Sequence, residues 1–437
     1  MADQTPRSQR DARLRWREAL ADDLRRQNEQ HLRRVLRPVE SSQGAELVIE
    51  GRRYVQFCTN NYLGLANHPE VVDAAREAAS RWGVGASASR LVAGSMDLHH
   101  QLEQKLASFK GTEAALLFPT GFMANLAMFT TFAGSGDRIV SDKLNHASLI
   151  DSARYSQAEH RIFPHRDLAK AQALLARPLR PAGSTKPGGG EEPAGDSAAL
   201  SSPGVIADAD GPGRKFLATD AVFSMDGDLA DLPGLCDIAE ANGALVVVDE
   251  AHATGVFGSR GSGLAEAQGV CGRVALSMGT LSKALGSVGG FVCGPREAID
   301  MLVNKARTFI YTTALPPMCS AAGLAALGVI ERQPHRRQRL LAMAAHVRQE
   351  LEAMGFNCEN SRSPIIPVMA GSAESALAAS EQLRQRGLFV PAIRPPTVPA
   401  HTARLRISLM ADHTDGHIEQ LLQALKDLGS AGKLLRR

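Results

Sequence analysis

The stretch ALVVVDEAHATGVFG, residues 244–258, decides the fold class. Its first five residues are apolar and read as a short buried strand, and the polar cluster Asp249, Glu250 and His252 begins where that strand ends. In open parallel sheets ligands bind outside the carboxyl ends of the strands, so an acid at this position is placed to meet one. An Asp after a strand also caps helices or joins metal-binding clusters, and this stretch alone leaves those readings open. A second block, RVALSMGTLSKALGSVGGFVCG at 273–294, repeats the arrangement. A strand at 274–277 runs into small and hydroxyl residues around a single lysine, Lys283, followed by Gly286, Gly289 and Gly290. Glycines let backbone approach a ligand closely, and a lysine in a closed site loses its proton readily to act as nucleophile or base. A snorkelling surface lysine is the competing reading.

Working outward, apolar segments at 114–118, 138–141 and 216–218 alternate with helical patterns such as 98–109. The alternation implies an α/β architecture, a mainly parallel sheet covered by helices, over residues 58–330. From 331 to 437 a long Arg- and Ala-rich helix precedes short strands at 365–368 and 405–409, as expected of a smaller α+β domain. Residues 1–57 hold an imperfect helical stripe at 13–35 (Leu14, Leu20, Leu24, Leu32), expected to lie on something larger, and a hairpin at 47–57 turning at Glu50-Gly51-Arg52. The Pro-, Gly- and Ser-rich segment 178–213 is too polar to pack a core and reads as a flexible surface insertion.

Composition excludes several classes. The chain has 437 residues, 44% of them hydrophobic, and Lys+Arg 49 against Asp+Glu 46 leaves a net charge of +3. That is enough apolar residue for a core and too little basic surplus for a dedicated nucleic-acid binder. Six scattered cysteines without a C-x-x-C pair suggest neither a zinc ribbon nor a disulfide framework, so no metal is expected. Two uncharged stretches, 114–136 and 308–330, contain Pro, Gly or hydroxyl residues and read as buried elements rather than membrane spans. The N-terminus has no apolar signal segment, and a cytoplasmic location is expected. Of the ten lysines, the chemistry needs one, Lys283, and needs it buried.

A strand ending in Asp-x-x-His, with strand–Ser/Thr–Lys in a Gly-rich turn about 30 residues later, resembles the fold-type I enzymes that use pyridoxal 5′-phosphate (PLP). In that chemistry Lys283 holds the cofactor aldehyde as an imine, and Asp249 keeps the pyridine nitrogen protonated. The phosphate needs backbone N–H donors at a helix start, which the Gly121-Phe122 turn of FPTGFMANLAMF (118–129) supplies. His146 in SDKLNHASLID (141–151) is suited to stacking on the ring. Ser224 in TDAVFSMDGDLADLP (219–233) could donate to the phenolic oxygen, and Thr280 could reach the phosphate. Each of these alone is also ordinary turn chemistry.

Eight motifs, NNYLGL (60–65), SRLVAGS (89–95), PTGFMAN, NHASLID, VFSMDGD, VDEAHATGVFG, TLSKALGSVGG and IYTTALPP (310–317), occur in the order and spacing of the α-oxoamine synthases. The resemblance spans about residues 30–430. It implies a PLP-dependent decarboxylative condensation of an amino acid with an acyl thioester. The block VPAIRPPTVPAHTARLRISL (390–409) is most similar to the branch serving biotin biosynthesis, which joins L-alanine to a pimeloyl thioester carried on CoA or a carrier protein. The resemblance assigns Arg406 to the substrate α-carboxylate, a role suited to a bidentate fork. Arg33, Asn60 and Arg394 join it as substrate-binding residues, and His252 is placed near the ring oxygen. It also implies a homodimer with interfacial sites, where Thr312 and Thr313 reach the neighbour's phosphate. His401 stands where glycine is common in the family. Sister activities, such as glycine with acetyl-CoA or serine with palmitoyl-CoA, share the chemistry. A non-catalytic member would be expected to lack Lys283, which is present.

Overall fold

The computed structural model describes residues 7–179, 213–430 and 434, and gives side chains from residue 11 onward. Apart from its ends, the insertion expected at 178–213 lies outside the described residues. The strands are β1 (Glu46–Ile49), β2 (Arg52–Gln56), β3 (Ala114–Phe118), β4 (Arg138–Asp142), β5 (Glu159–Phe163), β6 (Lys215–Asp220), β7 (Ala244–Asp249), β8 (Leu276–Thr280), β9 (Gly290–Gly294), β10 (Ile365–Gly371), β11 (Leu388–Phe389), β12 (Ala392–Ile393) and β13 (Ala403–Ser408). The helices that matter for the site are α1 (Arg7–Glu29), α2 (Pro69–Trp82), α3 (Asp97–Lys110), α4 (Gly121–Phe132) and α5 (Ala147–Tyr155).

Seven strands form the main sheet in the order β3-β9-β8-β7-β6-β4-β5. Every neighbouring pair from β8 to β5 is parallel, and β9 runs antiparallel between β3 and β8. The strands of 114–118, 138–142 and 244–249 are continuous apolar or buried runs because helices cover both faces, the condition that makes a parallel sheet stable. Two hydrophobic clusters follow from this. One holds Leu217, Val246 and Val248 with the C-terminal helices, and the other holds Ala218, Val247 and Val292 with α4. The uncharged stretch at 114–136 is thus β3 and α4, and among the described residues no helix is long and apolar enough to cross a membrane.

Three expectations shift. The strand read at 274–277 lies at Leu276–Thr280, closer to Lys283. Gly279 allows this extension, because a Cβ there would sit 2.2 Å from the Phe291 ring on β9. β9 itself, read as part of a Gly-rich turn, is a fully buried strand. The helix expected at 13–35 runs instead over Arg7–Glu29, and its apolar residues Leu14, Trp16, Leu20 and Leu24 are exposed rather than covered by the chain's own body.

The smaller sheets draw on distant parts of the chain. β1 and β2 form the expected hairpin, Ile49 facing Arg52, and β2 then pairs in parallel with β11. β10, β13 and β12 form an antiparallel sheet whose edge meets the loop 223–228. That loop is pinned from three sides: Arg404 pairs with Asp226, the Arg406 Nε donates to the Ser224 carbonyl at 2.6 Å, and the Arg362 N–H donates to the Gly227 carbonyl at 2.9 Å. Gly227 has φ +71°, and a Cβ would lie 1.9 Å from the Ile365 carbonyl oxygen, so only glycine fits.

Lys283, expected to be buried, is half-buried, and the fully buried lysine among the described residues is another one. Lys110, the last residue of α3, is 4% exposed, and its Nζ donates to Glu250 at 2.6 Å, Thr254 Oγ1 at 2.9 Å and the Ser262 carbonyl at 2.5 Å. Glu250 in turn accepts from the Ser277 hydroxyl and the Ala265 N–H, so the pair ties α3 to the loop that follows Asp249. Removing one partner of a buried pair strands the other charge. Lys110→Met is expected to lower stability by about 3–5 kcal/mol in urea unfolding, and the double change Lys110→Met with Glu250→Gln to recover part of the loss.

Candidate active site

The carboxyl ends of β4, β6, β7 and β8 bring the chemistry together. Asp249 ends β7 and is register-paired with Asp220 at the end of β6. Its Oδ2 accepts from Asn125 Nδ2 at 2.6 Å and its Oδ1 from the Ala251 N–H at 2.8 Å. Asn125 projects from α4, donates also to the Ser148 hydroxyl at 2.8 Å, and has a buried Oδ1 without a hydrogen-bond partner. Ser148 meets the next residue of interest. Its N–H donates to His146 Nδ1 at 3.2 Å, with the hydroxyl 2.7 Å from the same nitrogen. A backbone N–H can only donate, so Nδ1 is the acceptor and the His146 proton sits on Nε2. The His146 N–H is held by both carboxylate oxygens of Asp220 at 3.1 and 3.2 Å.

Lys283 lies in the loop after β8, within electrostatic reach of Asp249, Asp220 and Arg406. Burial lowers its pKa to about 8, against the pull of the two carboxylates. Asp220 is raised well above the ordinary carboxyl range by burial and then by Asp249 beside it. Burial also lowers His146, and lowers His252 much further, with Lys283 and Arg406 adding to the effect. Neutral His252 places Nδ1 2.7 Å from the Tyr62 hydroxyl, which burial pushes up to about 12. Arg406 completes this side, donating to Ser408 Oγ at 2.8 Å and Asn60 Oδ1 at 3.3 Å besides the Ser224 carbonyl.

The structure therefore brings Lys283, Asp249, His146, His252, Asn60, Ser224 and Arg406 into one cleft. Thr280 and Gly121 meet at its floor: the Thr280 hydroxyl bonds the Gly289 carbonyl at 2.7 Å, and a Cβ on Gly121 would lie 3.6 Å from Thr280 Oγ1. A Cβ on Gly290 would sit 2.6 Å from Gly121 Cα, so the start of α4 and the lysine loop close on each other only through glycine. Phe122 is half exposed at the start of α4. Arg394 and Arg33 meet each other instead. The Arg394 guanidinium donates to the His31 and Arg33 carbonyls, and both arginines line a separate cavity of about 550 Å³. Thr312 and Thr313 stand on the surface, the Thr312 hydroxyl donating to the Thr313 carbonyl at 3.4 Å, and neither bonds to the cleft residues. His401, standing at a position where glycine is common, takes φ +64°. Among the described residues no group of three or more His, Cys, Asp or Glu could hold a metal ion.

Sequence reasoning missed Asn125, Asp220, Ser148 and Tyr62. Asp220 carried the same signal as Asp249, an acid ending an apolar strand, and Asn125 was the polar exception in an apolar helix. A large cavity of about 870 Å³ adjoins His146 and Ser224 and extends to Arg34, Thr397 and Arg404.

The cleft agrees with what known proteins show. The class I and II aminotransferases match residues 52–425. The chain belongs to that family. Within it, the chain is 43% identical to the 8-amino-7-oxononanoate synthase of Geobacter sulfurreducens, over 94% of this chain and 98% of the other. Among solved structures, a serine palmitoyltransferase variant from S. paucimobilis carrying PLP and myriocin is 31% identical, with a TM-score of 0.83, over 94% of this chain and 97% of that one. The 8-amino-7-oxononanoate synthase of Francisella tularensis is 28% identical, with a TM-score of 0.68, over 87% and 98%. The architecture is that of the fold-type I PLP-dependent transferases, as the alternation of strands and helices and the motifs led us to expect.

The depressed Lys283 amine is directly measurable. Competitive trace acetylation of the cofactor-free protein is expected to show Lys283 gaining reactivity through about pH 8, while exposed lysines follow the ordinary range above pH 10. A Lys283 profile that coincides with the exposed lysines would show that burial does not set its charge.

Proposed function

We propose that this enzyme is an 8-amino-7-oxononanoate synthase, condensing L-alanine with a pimeloyl thioester, on CoA or a carrier protein, with release of CO2 and free thiol. The observation that carries the reading is identity: relatives bearing that name are 42–44% identical over 91–95% of the chain. The solved serine palmitoyltransferases superpose with higher TM-scores but are 30–32% identical, which favours a shared architecture over a shared substrate.

The cleft supports PLP as the cofactor on its own residues. Lys283 would be the amine that holds it, Asp249 the acid that would keep its ring nitrogen protonated, and His146 the flat group suited to stack on it. His252 presents a donor to the ring oxygen, which Ser224 also approaches. The first amides of α4 at Gly121 and Phe122, with Thr280, provide the phosphate cradle. Bound there, PLP supplies an electron sink for the charge left at the amino acid Cα. Lys283, with its pKa near 8, is free-base often enough at neutral pH to take the Cα proton and return it. Arg406 offers a planar fork to the α-carboxylate, exchanging its bonds to Asn60 and the Ser224 carbonyl, with Asn60 beside it. Arg394 ties the N-terminal segment down through the His31 and Arg33 carbonyls, and the 870 Å³ cavity accepts the acyl chain.

A homodimer is supported by exposed apolar side chains. Leu91, Val92, Phe122, Val288 and Tyr311 are large apolar residues left exposed within the motif segments, as expected of a face that a second copy covers. In that assembly Thr312 and Thr313 serve the phosphate of the neighbouring subunit. The reading places the protein in the cytoplasm.

A panel of amino acid and acyl thioester pairs, assayed for CO2 and thiol release, tests the substrate. Alanine with a pimeloyl thioester is expected to be turned over. Activity confined to glycine with acetyl-CoA, or to serine with palmitoyl-CoA, would reject the assignment in favour of a sister enzyme. The PLP-loaded protein should absorb near the visible edge, and Lys283→Ala should lose that band while keeping its fold by circular dichroism.

A further inference from the structure

His165 has no part in the cofactor cluster, yet its ring lies between two buried carboxylates. Nδ1 is 3.0 Å from Asp142 Oδ1, and Nε2 is 2.8 Å from Asp228 Oδ2. Ionised carboxylates only accept hydrogen bonds, so both contacts call for a proton on each ring nitrogen, that is, an imidazolium. Burial opposes that charge, but the bonds to Asp142 and Asp228 outweigh it and raise the His165 pKa to about 9.

The two carboxylates belong to different loops. Asp142 ends β4, and its side chain also takes the Leu144 N–H at 2.8 Å and the Arg166 N–H at 2.9 Å, shaping the short loop that leads to His146. Asp228 closes the loop 223–228, where its carbonyl accepts from the Phe223 N–H at 3.1 Å and Ser224 is presented to the cleft. Its other carboxylate oxygen is buried without a partner, so its pairing rests on His165, with Arg166 Nη1 further off at 3.4 Å. The imidazole also stands edge-on to Phe223, ring centroids 4.4 Å apart at 83°. His146, His165, Phe223, Ser224 and Asp228 all line the 870 Å³ cavity, and the other charged groups on its wall are Arg34, Lys143, Asp226, Glu359 and Arg404.

We propose that His165 is a positioning residue: its imidazolium clamps the loop bearing His146 to the loop bearing Ser224, and so sets the wall against which the acyl chain lies. His165 itself bonds to neither Lys283, Asp249 nor Arg406, and its ring lines the 870 Å³ cavity, so its effect on the acyl donor exceeds its effect on alanine. The acyl part of this inference rests on the proposed function. The charge state of the clamp does not.

Two measurements test it. In the cofactor-free full chain labelled with ¹⁵N-histidine, and with His165→Asn used for assignment, His165 should show both ring nitrogens protonated at pH 7.5 and titrate near pH 9. A neutral imidazole at pH 7.5 would overturn the clamp. In the PLP-loaded enzyme, His165→Asn should raise the KM for the acyl thioester by about tenfold, with a distinctly smaller rise in alanine KM. The wild-type acyl KM should rise as pH passes about 9, because a group whose pKa is raised on folding gives its contribution below that value and loses it above. The variant should show no such rise. Equal effects on both substrates, or none, would overturn the positioning role. Should His165→Asn fail to fold, Asp228→Asn is expected to draw the His165 titration down and raise the acyl KM in its place, and an unmoved titration there would overturn the proposal. If no acyl thioester is turned over at all, the proposed function fails, while the nitrogen spectra still decide the clamp.

Discussion

A carboxylate taken out of water at the end of a strand has to find its hydrogen bonds inside the protein, and Asp249 finds them in ways that organise the cleft. Asn125 reaches it from α4, so that helix is aligned by the acid at the end of β7. The same amide passes on to Ser148 and from there to His146, which orients α5. Asp220, one strand away, is left with the proton-holding role and steadies His146 through its backbone. Burial of the lysine amine, opposed by the two acids, lowers its pKa to about 8, so a fraction of it is free base at neutral pH. One buried charge thus couples two helices and three strand ends.

How much of this was readable from the residues depends on where the information lies. Buried parallel strands announce themselves as continuous apolar runs, and β3 and β7 stand within a residue of where the apolar runs placed them. Strands whose identity comes from their neighbours do not. β5 is the polar edge EHRIF, and β9 is GFVCG, whose glycines permit close packing on Gly121 and also mimic a turn. The cleft shows the same division. Residues with distinctive chemistry in a strand-end setting, Lys283 and Asp249, were visible, and Arg406 entered only through the family resemblance, whereas Asn125 and His165 owe their significance to partners 124 and 63 positions away along the chain. Arg33 and Arg394 were grouped with the substrate residues by motif alone, and the structure shows them meeting each other instead. The helix α1 was expected to be covered and is not, because an amphipathic stripe states that a face wants burial without saying by what.

The loop 223–228 is where the two lobes are joined. Arg404 and Arg406 come from alternate positions on one buried face of β13, and Gly227 fits under the Ile365 carbonyl of β10. Because Arg406 holds both this loop and the place proposed for the substrate carboxylate, occupancy of one contact is exchanged against the other. The position of the C-terminal lobe and the state of the cleft are therefore not independent.

The small sheet β1-β2-β11 has a consequence for how the chain is made. Two of its strands are complete within the first 56 residues, yet the third begins at Leu388, so β2 keeps an open edge until most of the polypeptide has been synthesised. The central strands of the main sheet, β3 to β9, all lie between residues 114 and 294 and can pair much earlier. Synthesis from the N-terminus thus delivers the main sheet first and the segment that carries Arg406 last, with the hairpin waiting across the longest strand-to-strand closure among the described residues.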